Sequence, residues 1–465
     1  MLEGLEISEI SNNSLERTLR LDAEFYSKFH LGQQKMFNDI DAQSLSNFAT
    51  ISDGNHMSIS DSFVDDGVPY YRGGDIYNVF IESTPSPLRI PKPIFDMPTM
   101  QRSHLQKGDV LMSIVGAIIG NVSLVTTNNQ ATCSCKLAII RPYKDMLLPE
   151  YVGIYLMSKY GQQQIQKFRR GSGQTGLILE DFDQLLIPNI DRSIQKDISE
   201  IVSRSYESLI KGQQLYDSAE NFLLECLGMK DFMQSSEAVS VKRFSEFASS
   251  GRLDAEYYHI KYDNLEEKIR SVSYKTIADL QKFNARGVQP DYIPDGNISV
   301  VNSKHILENG LDYDNFEKTN SEFLKQNERA VIRENDILVY TTGANVGRAQ
   351  PYLVSNIAIA SNHVNILRLD GVNPIYAALV LNSKVGRLQT EKACTGSAQA
   401  ELYPSDLERF LIPLLPDDKQ EAIAEKVKQS FALRTESKDL LEMAKKKVED
   451  EIYEIVKRKR FHITR

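Results

Sequence analysis

Residues 194–228, IQKDISEIVSRSYESLIKGQQLYDSAENFLLECLG, form the stretch that decides the fold of this chain. Apolar or small side chains recur there in steps of four and three, at Ile198, Val202, Ser205, Leu209, Gly212, Tyr216, Ala219, Leu223 and Cys226. This heptad spacing predicts one helix of about 50 Å, since each residue adds ~1.5 Å. Ser205 and Gly212 are weak members of the seam. A helix with such a seam needs a second element to cover it.

A second long helix is predicted from about Asp417 to Arg460. Its apolar seam consists of Ile423, Val427, Phe431, Leu441, Ala444, Val448, Ile452 and Ile455. Arg434 and Ser437 interrupt this seam where the first helix is also weakest. We expect the two helices to pack antiparallel as a coiled coil, because a chain that passes module, helix, module, helix brings its ends together only in this way.

The chain contains two copies of one unit, roughly residues 1–232 and 233–465. RLDAEFY at 20–26 returns as RLDAEYY at 252–258, and GDVL at 108–111 returns as NDIL at 335–338. Further pairs are Gly116 and Gly120 with Gly343 and Gly347, Arg141 with Arg368, 171–174 with 396–399, 186–188 with 411–413, and Gln195 with Gln420. The offset drifts from 232 to 225 residues, as small loop deletions would produce. A period of this length indicates a tandem domain duplication.

Each copy predicts the same order of elements. A short helix at the Asp-Ala-Glu segment precedes strands that carry the Asp-Val-Leu and double-glycine signals. A helix follows (149–168 and 374–392), then a Gly-Ser-x-Gln loop, a short strand that ends at proline, and the long helix. The predicted fold class is α+β. The predicted domains are globular modules at 1–190 and 233–415, with long helices at 191–232 and 416–465.

The composition is that of a globular protein, with 41% apolar and 25% charged residues. Its four cysteines, Cys133, Cys135, Cys226 and Cys394, form no C-x-x-C pair, which argues against a zinc ribbon or a disulfide framework. The absence of a secretory signal, and the glycines and serines within Val110–Val125, favour a cytoplasmic protein without a membrane span. The net charge of −9 means that any contact with nucleic acid must come from local basic patches.

The duplicated unit resembles the specificity subunit of type I restriction-modification systems over essentially the whole chain. The resemblance rests on Gly108-Asp109-Val110-Leu111, the two glycines that follow, the loop at Gly171, and Asp181, Ile187-Pro188 and Gln195 before the helix, all in duplicate. It implies that each copy is a target recognition domain for one half of a split DNA sequence. It also implies that the helices form an antiparallel coiled coil with pseudo-two-fold symmetry, which acts as a spacer.

By the same resemblance, the chain binds double-stranded DNA and no membrane. The resemblance also implies that two modification methyltransferase subunits dock on the helices and bring restriction subunits with them. It implies that the chain has no catalytic activity and no bound cofactor, with S-adenosylmethionine, ATP and magnesium on the partner subunits. Asn335, and residues 396–401 without the extra glycines of the first copy, depart from the pattern. The loop geometry is therefore not expected to be identical in both copies.

Sixteen residues are candidates for DNA contact because they are polar or basic and lie in or near predicted loops. They are Tyr71, Arg72, Ser134, Lys136, Lys167, Arg169, Arg170, Ser172 and Gln174 in the first copy, and Asn302, Lys304, His305, Arg348, His363, Ser397 and Gln399 in the second. The alternative for Lys167, Arg169 and Arg170 is a cationic helix end that complements the helix dipole. For the others it is a turn with solvated polar groups.

Other chemistry finds little support in the residues. GSGQTG at 171–176 fits G-x-G-x-x-G, but a predicted helix rather than a strand precedes it, so a turn or a DNA-facing loop is preferred to a dinucleotide site. Asp22, Glu24, Asp254 and Glu256 are interpreted as charged helix faces rather than as general acids or bases. The seven histidines lack metal-ligand spacing. A solo DNA-binding protein, or a single-chain methyltransferase or nuclease, remains the alternative function.

Overall fold

The computed structural model of the chain describes residues 6–16, 19–171, 175–230, 232, 239–394 and 400–463. The chain divides into two compact units, the first of residues 1–208 with 436–465 and the second of residues 209–435. Each unit thus contains one globular module together with a part of each long helix. The predicted domain limits at 190, 232 and 415 stay predictions.

The first module combines short strands with four helices. Its strands are β1 (Gln43–Ser44), β2 (Ala49–Asp53), β3 (Val68–Tyr71), β4 (Leu88–Ile90), β5 (Val110–Ser113), β6 (Val122–Leu124), β7 (Thr132–Cys133), β8 (Leu137–Pro142) and β9 (Leu186–Ile187). Its helices are α1 (Lys28–Asp39), α2 (Lys92–Phe95), α3 (Pro149–Met157) and α4 (Lys159–Phe168), and the long α5 (Arg192–Cys226) follows. The segment Val110–Val125 is therefore two buried strands joined by a glycine turn.

Three sheets organise these strands. An antiparallel sheet has the order β2-β8-β5-β6, a second has the order β4-β3-β7 with β3 and β7 parallel, and β1 pairs with β9. Strands β5, β6 and β8 of the four-stranded sheet are largely buried, and α3 packs against them with Tyr151 and Tyr155 fully buried. The Leu-Ile-Pro segment closes the module, since β9 returns to the first strand.

The second module repeats this architecture with additional strands. Its helices are α6 (Phe244–Ser250), α7 (Ile260–Arg270), α8 (Ile277–Leu280), α9 (Ser321–Gln326), α10 (Pro374–Asn382), α11 (Lys384–Ala393) and α12 (Pro404–Leu407), and α13 (Asp417–Ile463) ends the chain. Its strands are β10 (Tyr274–Thr276), β11 (Gln281–Arg286), β12 (Ile298–Val301), β13 (Ile306–Leu307), β14 (Gly310–Leu311), β15 (Glu317–Thr319), β16 (Val331–Ile332), β17 (Ile337–Tyr340), β18 (Ala349–Pro351), β19 (Ala358–Ala360), β20 (Val364–Leu369) and β21 (Leu411–Pro413).

The sheets of the second module have the same order as those of the first. The order β11-β20-β17-β18 corresponds to β2-β8-β5-β6, and β15-β12-β19, with β12 and β19 parallel, corresponds to β4-β3-β7. The pair β10-β21 corresponds to β1-β9, whereas β16 and the β13-β14 hairpin are additions. The α+β class and the duplication are confirmed at the level of strand topology.

The helix predicted over 149–168, and its counterpart over 374–392, are each broken into two. The break falls at Ser158 and at Ser383, whose backbones are extended and whose hydroxyls accept a hydrogen bond from the first turn of α4 and of α11. Gly161 and Gly386 follow three residues later, where a Cβ would overlap backbone atoms of the preceding helix. A serine N-cap and a close-approach glycine therefore end each helix within an otherwise helical pattern.

The two long helices pack antiparallel within each unit. In the first unit, the Ser205 hydroxyl lies 2.8 Å from the carbonyl oxygen of Ser437, and Asp197 forms a 2.7 Å ion pair with Lys447. In the second unit, the Ser430 hydroxyl donates to the Gly212 carbonyl oxygen at 2.6 Å. The weak positions of the two seams are thus places of close helix contact with buried hydrogen bonds.

The same arginine–aspartate ion pair, with a buried carboxylate, occurs in both modules and explains why these two residues are repeated. Arg141 holds the carboxylate of Asp109 with two hydrogen bonds of 2.7 and 2.8 Å, and Arg368 holds Asp336 at the same distances. Both carboxylates are buried, and each also accepts from a backbone N–H three residues earlier. This pair fixes the turn before β5 and β17 to the end of β8 and β20.

Candidate nucleic-acid interface

Five loops of the first module lie next to one another, and together we call them the first loop cluster. They consist of residues 54–56, 72–75, 114–120, 134–136 and 175–177. Backbone hydrogen bonds hold them together. Each bond runs from a backbone N–H to a backbone carbonyl oxygen. Ile114 donates to Lys136 at 3.1 Å, and Gly116 donates to Thr175 at 3.0 Å. Ser134 donates to Tyr71 at 2.9 Å. The sequence separates these loops by up to about 120 positions, so only the fold assembles them.

The second module builds an equivalent second loop cluster from residues 287–289, 302–305, 341–347, 361–363 and 400–402. The Thr341 N–H donates to the His363 carbonyl at 3.1 Å, the Gly343 N–H to Ala400 at 3.1 Å, and the Ser361 N–H to Val301 at 3.0 Å. These bonds join the same positions of the repeat as in the first module. Some of the predicted DNA-contacting residues therefore lie together in each unit, namely those at 72, 134 and 136 in the first and those at 302–305 and 363 in the second.

Two glycines allow the loops to approach so closely. A Cβ at Gly54 would overlap the carbonyl oxygen of Cys133, and a Cβ at Gly287 would overlap that of Ala360. The two glycines lie 233 positions apart and occupy the same place in the two modules. Only glycine fits a backbone in such contact with another strand. This matched pair is also visible in the sequence, as a glycine that recurs at nearly the offset of the RLDAEFY repeat.

Exposed polar groups line the first loop cluster. The Arg72 side chain is 53% exposed, with its Nε 3.5 Å from Asp75, and Lys136 is exposed on the neighbouring loop. Asp53 lies at the end of β2 and pairs with His56 at 2.5 Å and with Arg102. His56 and Arg102 were not among the predicted contacts. His56 belongs to no group of histidines with metal-ligand spacing, and Arg102 lies in a 3-10 helix that is distant in sequence from Asp53.

Three predicted residues of the first module point into the structure. Tyr71 is 4% exposed, and burial raises the pKa of its hydroxyl to about 12. Ser134 is buried beside it. Lys167 is 8% exposed, donates to Gln34 at 2.8 Å and lies over the Phe25 ring, and burial lowers the pKa of its ammonium to about 8. As placed here, Lys167 supports the packing of α4 rather than offering its charge to a phosphate.

Arg169 and Arg170 lie where α4 ends. The Arg169 carbonyl oxygen accepts a hydrogen bond from Arg20 at 3.1 Å, and the guanidinium of Arg170 pairs with the buried carboxylate of Asp181. The alternative of a helix end stabilised by local contacts thus accounts for the surroundings of both arginines. The predicted contacts Ser172, Gln174, Ser397 and Gln399 lie outside the described residues.

In the second loop cluster, three predicted residues converge on one carboxylate. Glu317 accepts from Asn302 at 2.7 Å, pairs with Lys304, and lies 3.0 Å from the imidazole of His305. Burial raises the pKa of Glu317, but the hydrogen bonds from Lys304 and Asn302 lower it further, so the pKa lies below its usual value. The His305 side chain is buried, whereas that of Lys304 is 64% exposed.

The remaining residues of the second loop cluster add further polar groups. His363 is exposed, and half-buried Arg348 donates to Asn345 at 3.0 Å across the glycine turn. Arg286, which was not predicted, pairs with Glu401 at 2.6 Å and lies over the ring of Tyr403. The two clusters thus share a backbone frame and present different side chains.

Metal sites and disulfides are absent from the part of the chain that the structure describes. Within those residues there is no group of histidine, cysteine, aspartate or glutamate that could hold a metal ion, and all four cysteines are free. The short helix predicted at the Asp-Ala-Glu segment is a turn in the first copy and a 3-10 helix, Ala255–Tyr258, in the second. Asp22 and Asp254, interpreted as charged helix faces, precede these elements and pair with Arg20 and Arg252. None of the described helices has both the length and the apolar character that are needed to cross a bilayer.

Comparison with known proteins identifies the second copy. Residues 270–443 match the family model described as the type I restriction modification DNA specificity domain. No curated protein is significantly similar to the chain in sequence.

Solved structures with a likeness include the S subunit of a type I restriction-modification system from M. genitalium, at 12% identity over 90% of this chain and 95% of that one, with a TM-score of 0.41. The HsdS subunit from Thermoanaerobacter tengcongensis is 14% identical over 88% of this chain and 95% of that one, with a TM-score of 0.28. The assignment rests on the domain match and on the internal repeat, not on these distant likenesses. Residues 270–443 are similar to the type I restriction modification DNA specificity domain, and the resemblance of this chain to the specificity subunit of such systems is confirmed.

Proposed function

We propose that this chain is the DNA-recognition subunit of a type I restriction-modification complex and that it recognises a bipartite target. The observation that carries the proposal is the pair of equivalent loop clusters, one of which lies within the matched specificity domain. Each cluster recognises one half of the target. The bases between the halves are unread.

The residues of the two clusters suit this task. Exposed cations such as Arg72, Lys136 and Lys304 neutralise phosphates or donate to guanine, while neighbouring amides and carboxylates select other base edges. Local charge of this kind is required because the chain as a whole carries −9. Since the side chains differ between the clusters, the two half-sites differ in sequence.

The long helices complete the proposal. Both α5, with 35 residues, and α13, with 47, pass from one unit to the other, so we propose that their length sets the number of unread base pairs. Two modification methyltransferase subunits dock on these helices and bring restriction subunits with them in the cytoplasm. The chain itself supplies no catalysis. S-adenosylmethionine, ATP and magnesium bind to the partner subunits.

Methylome sequencing tests the bipartite target. Cells that express this chain with its methyltransferase should show adenine methylation at two short motifs separated by a fixed number of unspecified bases. Replacing residues 1–190 with the corresponding module of another specificity subunit should change one half-site and leave the other. A single continuous motif, or methylation by the chain alone, would overturn the proposal.

A further inference from the structure

A cavity lies in the first module, against the sheet with the order β4-β3-β7. Its volume is about 640 Å³, within the size range of small-molecule sites. Pro69 and Tyr71 lie on one face of β3, and Arg89 is on the same face because it pairs with Pro69 across to β4. All three line the cavity, and its apolar wall is completed by Ile81, Leu88, Leu105, Val125 and Ala131.

Two hydrogen-bond donors of this lining lack an acceptor for some or all of their protons. Tyr71 is 4% exposed, and no described residue accepts a hydrogen bond from its hydroxyl. The half-buried guanidinium of Arg89 donates to the Gly67 carbonyl oxygen at 2.9 Å and forms no ion pair with any described residue. Burial raises the pKa of the Tyr71 hydroxyl to about 12, so it is a neutral donor at pH 7. Since unpaired buried donors are costly, an acceptor inside the cavity would satisfy both groups.

The carboxylate of Glu82 also lines the cavity, but it already has its partners. Thr126 and Thr127 donate to it through both backbone N–H groups and both hydroxyls, at 2.8–3.2 Å. These bonds tie the loop after β6 to the cavity wall. Asp65, the other carboxylate of the lining, is exposed to solvent. The buried groups that still need a partner are therefore donors.

The second module treats the equivalent position differently. Tyr352 takes the place of Val125, and each donates its N–H to the carbonyl oxygen of the repeated aspartate, at 2.8 and 2.9 Å respectively. The Tyr352 side chain is 1% exposed, and its hydroxyl donates to the Asn356 carbonyl oxygen at 2.7 Å. Val301 in turn takes the place of Tyr71. The second module thus adds a ring at this position and pairs its hydroxyl, whereas the first has a cavity and an unpaired one.

We propose that the cavity of the first module binds a small organic acid. The carboxylate of the ligand accepts hydrogen bonds from the Tyr71 hydroxyl and the Arg89 guanidinium, and its apolar body lies against the apolar wall. This assigns a ligand to Tyr71, which packing withdraws from the surface that DNA could reach. The site goes beyond the proposed function, because neither its lining groups nor its ligand depends on DNA recognition.

Calorimetric titration of the full chain tests the site, with naphthoate as a flat apolar carboxylate and naphthamide as its uncharged counterpart. One naphthoate should bind per chain, and naphthamide should bind about 10-fold more weakly or worse, since hydrogen bonds to a charged group are the stronger ones. Arg89→Gln should weaken naphthoate binding roughly 10- to 100-fold and Tyr71→Phe roughly 10-fold. Lys318→Gln is the matched control, because Lys318 has the sheet position of Arg89 in the second module but donates to Ser299. It should leave the affinity unchanged.

Urea denaturation of the same variants, without ligand, provides a second measurement. Tyr71→Phe should leave the urea midpoint unchanged, since its hydroxyl has no partner to lose, whereas Tyr352→Phe should lower it through loss of the bond to Asn356. Val125→Tyr copies the second module, so it should fill the cavity and abolish naphthoate binding. If Val125→Tyr does not fold, Arg89→Gln and Tyr71→Phe decide the question.

Three results would each overturn the proposal. They are no naphthoate binding at millimolar concentration, equal affinity for naphthamide, and an affinity that Arg89→Gln and Tyr71→Phe leave unchanged. None of them bears on DNA recognition, because the titrations contain no DNA. A failure of the proposed function would instead appear in the methylome and leave the titrations as expected.

Discussion

The two loop clusters resemble each other in backbone and differ in side chains. The Gly116 turn and the Gly343 turn make the same cross-loop hydrogen bonds, at 3.0 and 3.1 Å. In contrast, Arg72 occupies a place where the second module has Asn302, and the second module groups three donors around Glu317, whose counterpart in the first is Leu88. Repetition therefore identifies the frame, and divergence identifies the surface that selects a ligand.

The largest expected effect concerns the frame. Asp109→Asn and Asp336→Asn each remove a buried carboxylate from an arginine. Each should lower the free energy of unfolding by about 3 kcal/mol. This value is at the low end for a broken buried ion pair, because both arginines are partly exposed. Urea denaturation of the full chain measures it. Asp370→Asn, at the exposed pair with Lys282, is the control and should leave stability unchanged. Clearly unequal losses in the two modules would show that the frames are not equivalent.

The next effect concerns the difference between the clusters. Arg72→Ala and Lys304→Ala should each relax base preference or weaken binding about 10-fold, since each removes an exposed donor from one cluster only. Methylation mapped on a library of degenerate half-sites measures the effect. Each substitution should change a different half-site. A change in both half-sites from one substitution would mean that the clusters do not act separately.

A smaller effect tests why Asn335 replaces the repeated glycine. Gly108 has a φ of 96° and Asn335 a φ of 70°, so both are left-handed, a conformation that asparagine tolerates better than other residues with a side chain. Gly108→Ala should destabilise by about 1–2 kcal/mol, and Asn335→Gly by no more than a few tenths. Thermal denaturation compares them. An equally large loss for Asn335→Gly would point to a role for the amide side chain.

The smallest effect concerns a lysine that is present in both modules but has a different partner in each. Lys167 faces Gln34, and burial lowers its pKa from 10.5 to about 8, whereas Lys392 forms a 2.6 Å ion pair with Glu266 at the same position of the repeat. Between pH 8 and 10.5 the unfolded chain holds this proton and the folded chain does not, so the contribution of Lys167 to stability increases as the pH rises through that window.

Gln34→Glu should raise the pKa of Lys167 and stabilise the chain at pH 7 by up to about 1 kcal/mol. The advantage over the wild type should shrink as the pH rises through about 8, where Lys167 of the wild type loses its proton, as measured by urea denaturation across the pH series. Glu266→Gln is the matched variant and should have the opposite sign. A stability difference that does not depend on pH would contradict the assignment to Lys167.

Much of the fold was predictable because duplication marks it twice. The Asp-Val-Leu strands, the closing Leu-Ile-Pro strand and both long helices were predicted within a few residues of their bounds. The breaks at Ser158 and Ser383 were missed, since hydrophobic spacing continues across them while a serine cap ends the helix. The polar residues of the two loop clusters were predicted only in part, because Arg102 and Arg286 reach the clusters through ion pairs with residues distant in sequence.

The sequence by itself determined the α+β class, the two copies and the antiparallel pairing of the helix seams, because periodicity and repetition are properties of residue order. The helix that begins at Arg192 thus found the covering element that its seam required. Only the tertiary structure decided which polar residues are exposed. Lys167, Tyr71 and His305 belong to residue types that contact DNA, yet packing buries them, while Leu21 and Leu253 remain exposed although they are apolar. Exposure depends on neighbours distant in the chain, and residue type alone does not fix it.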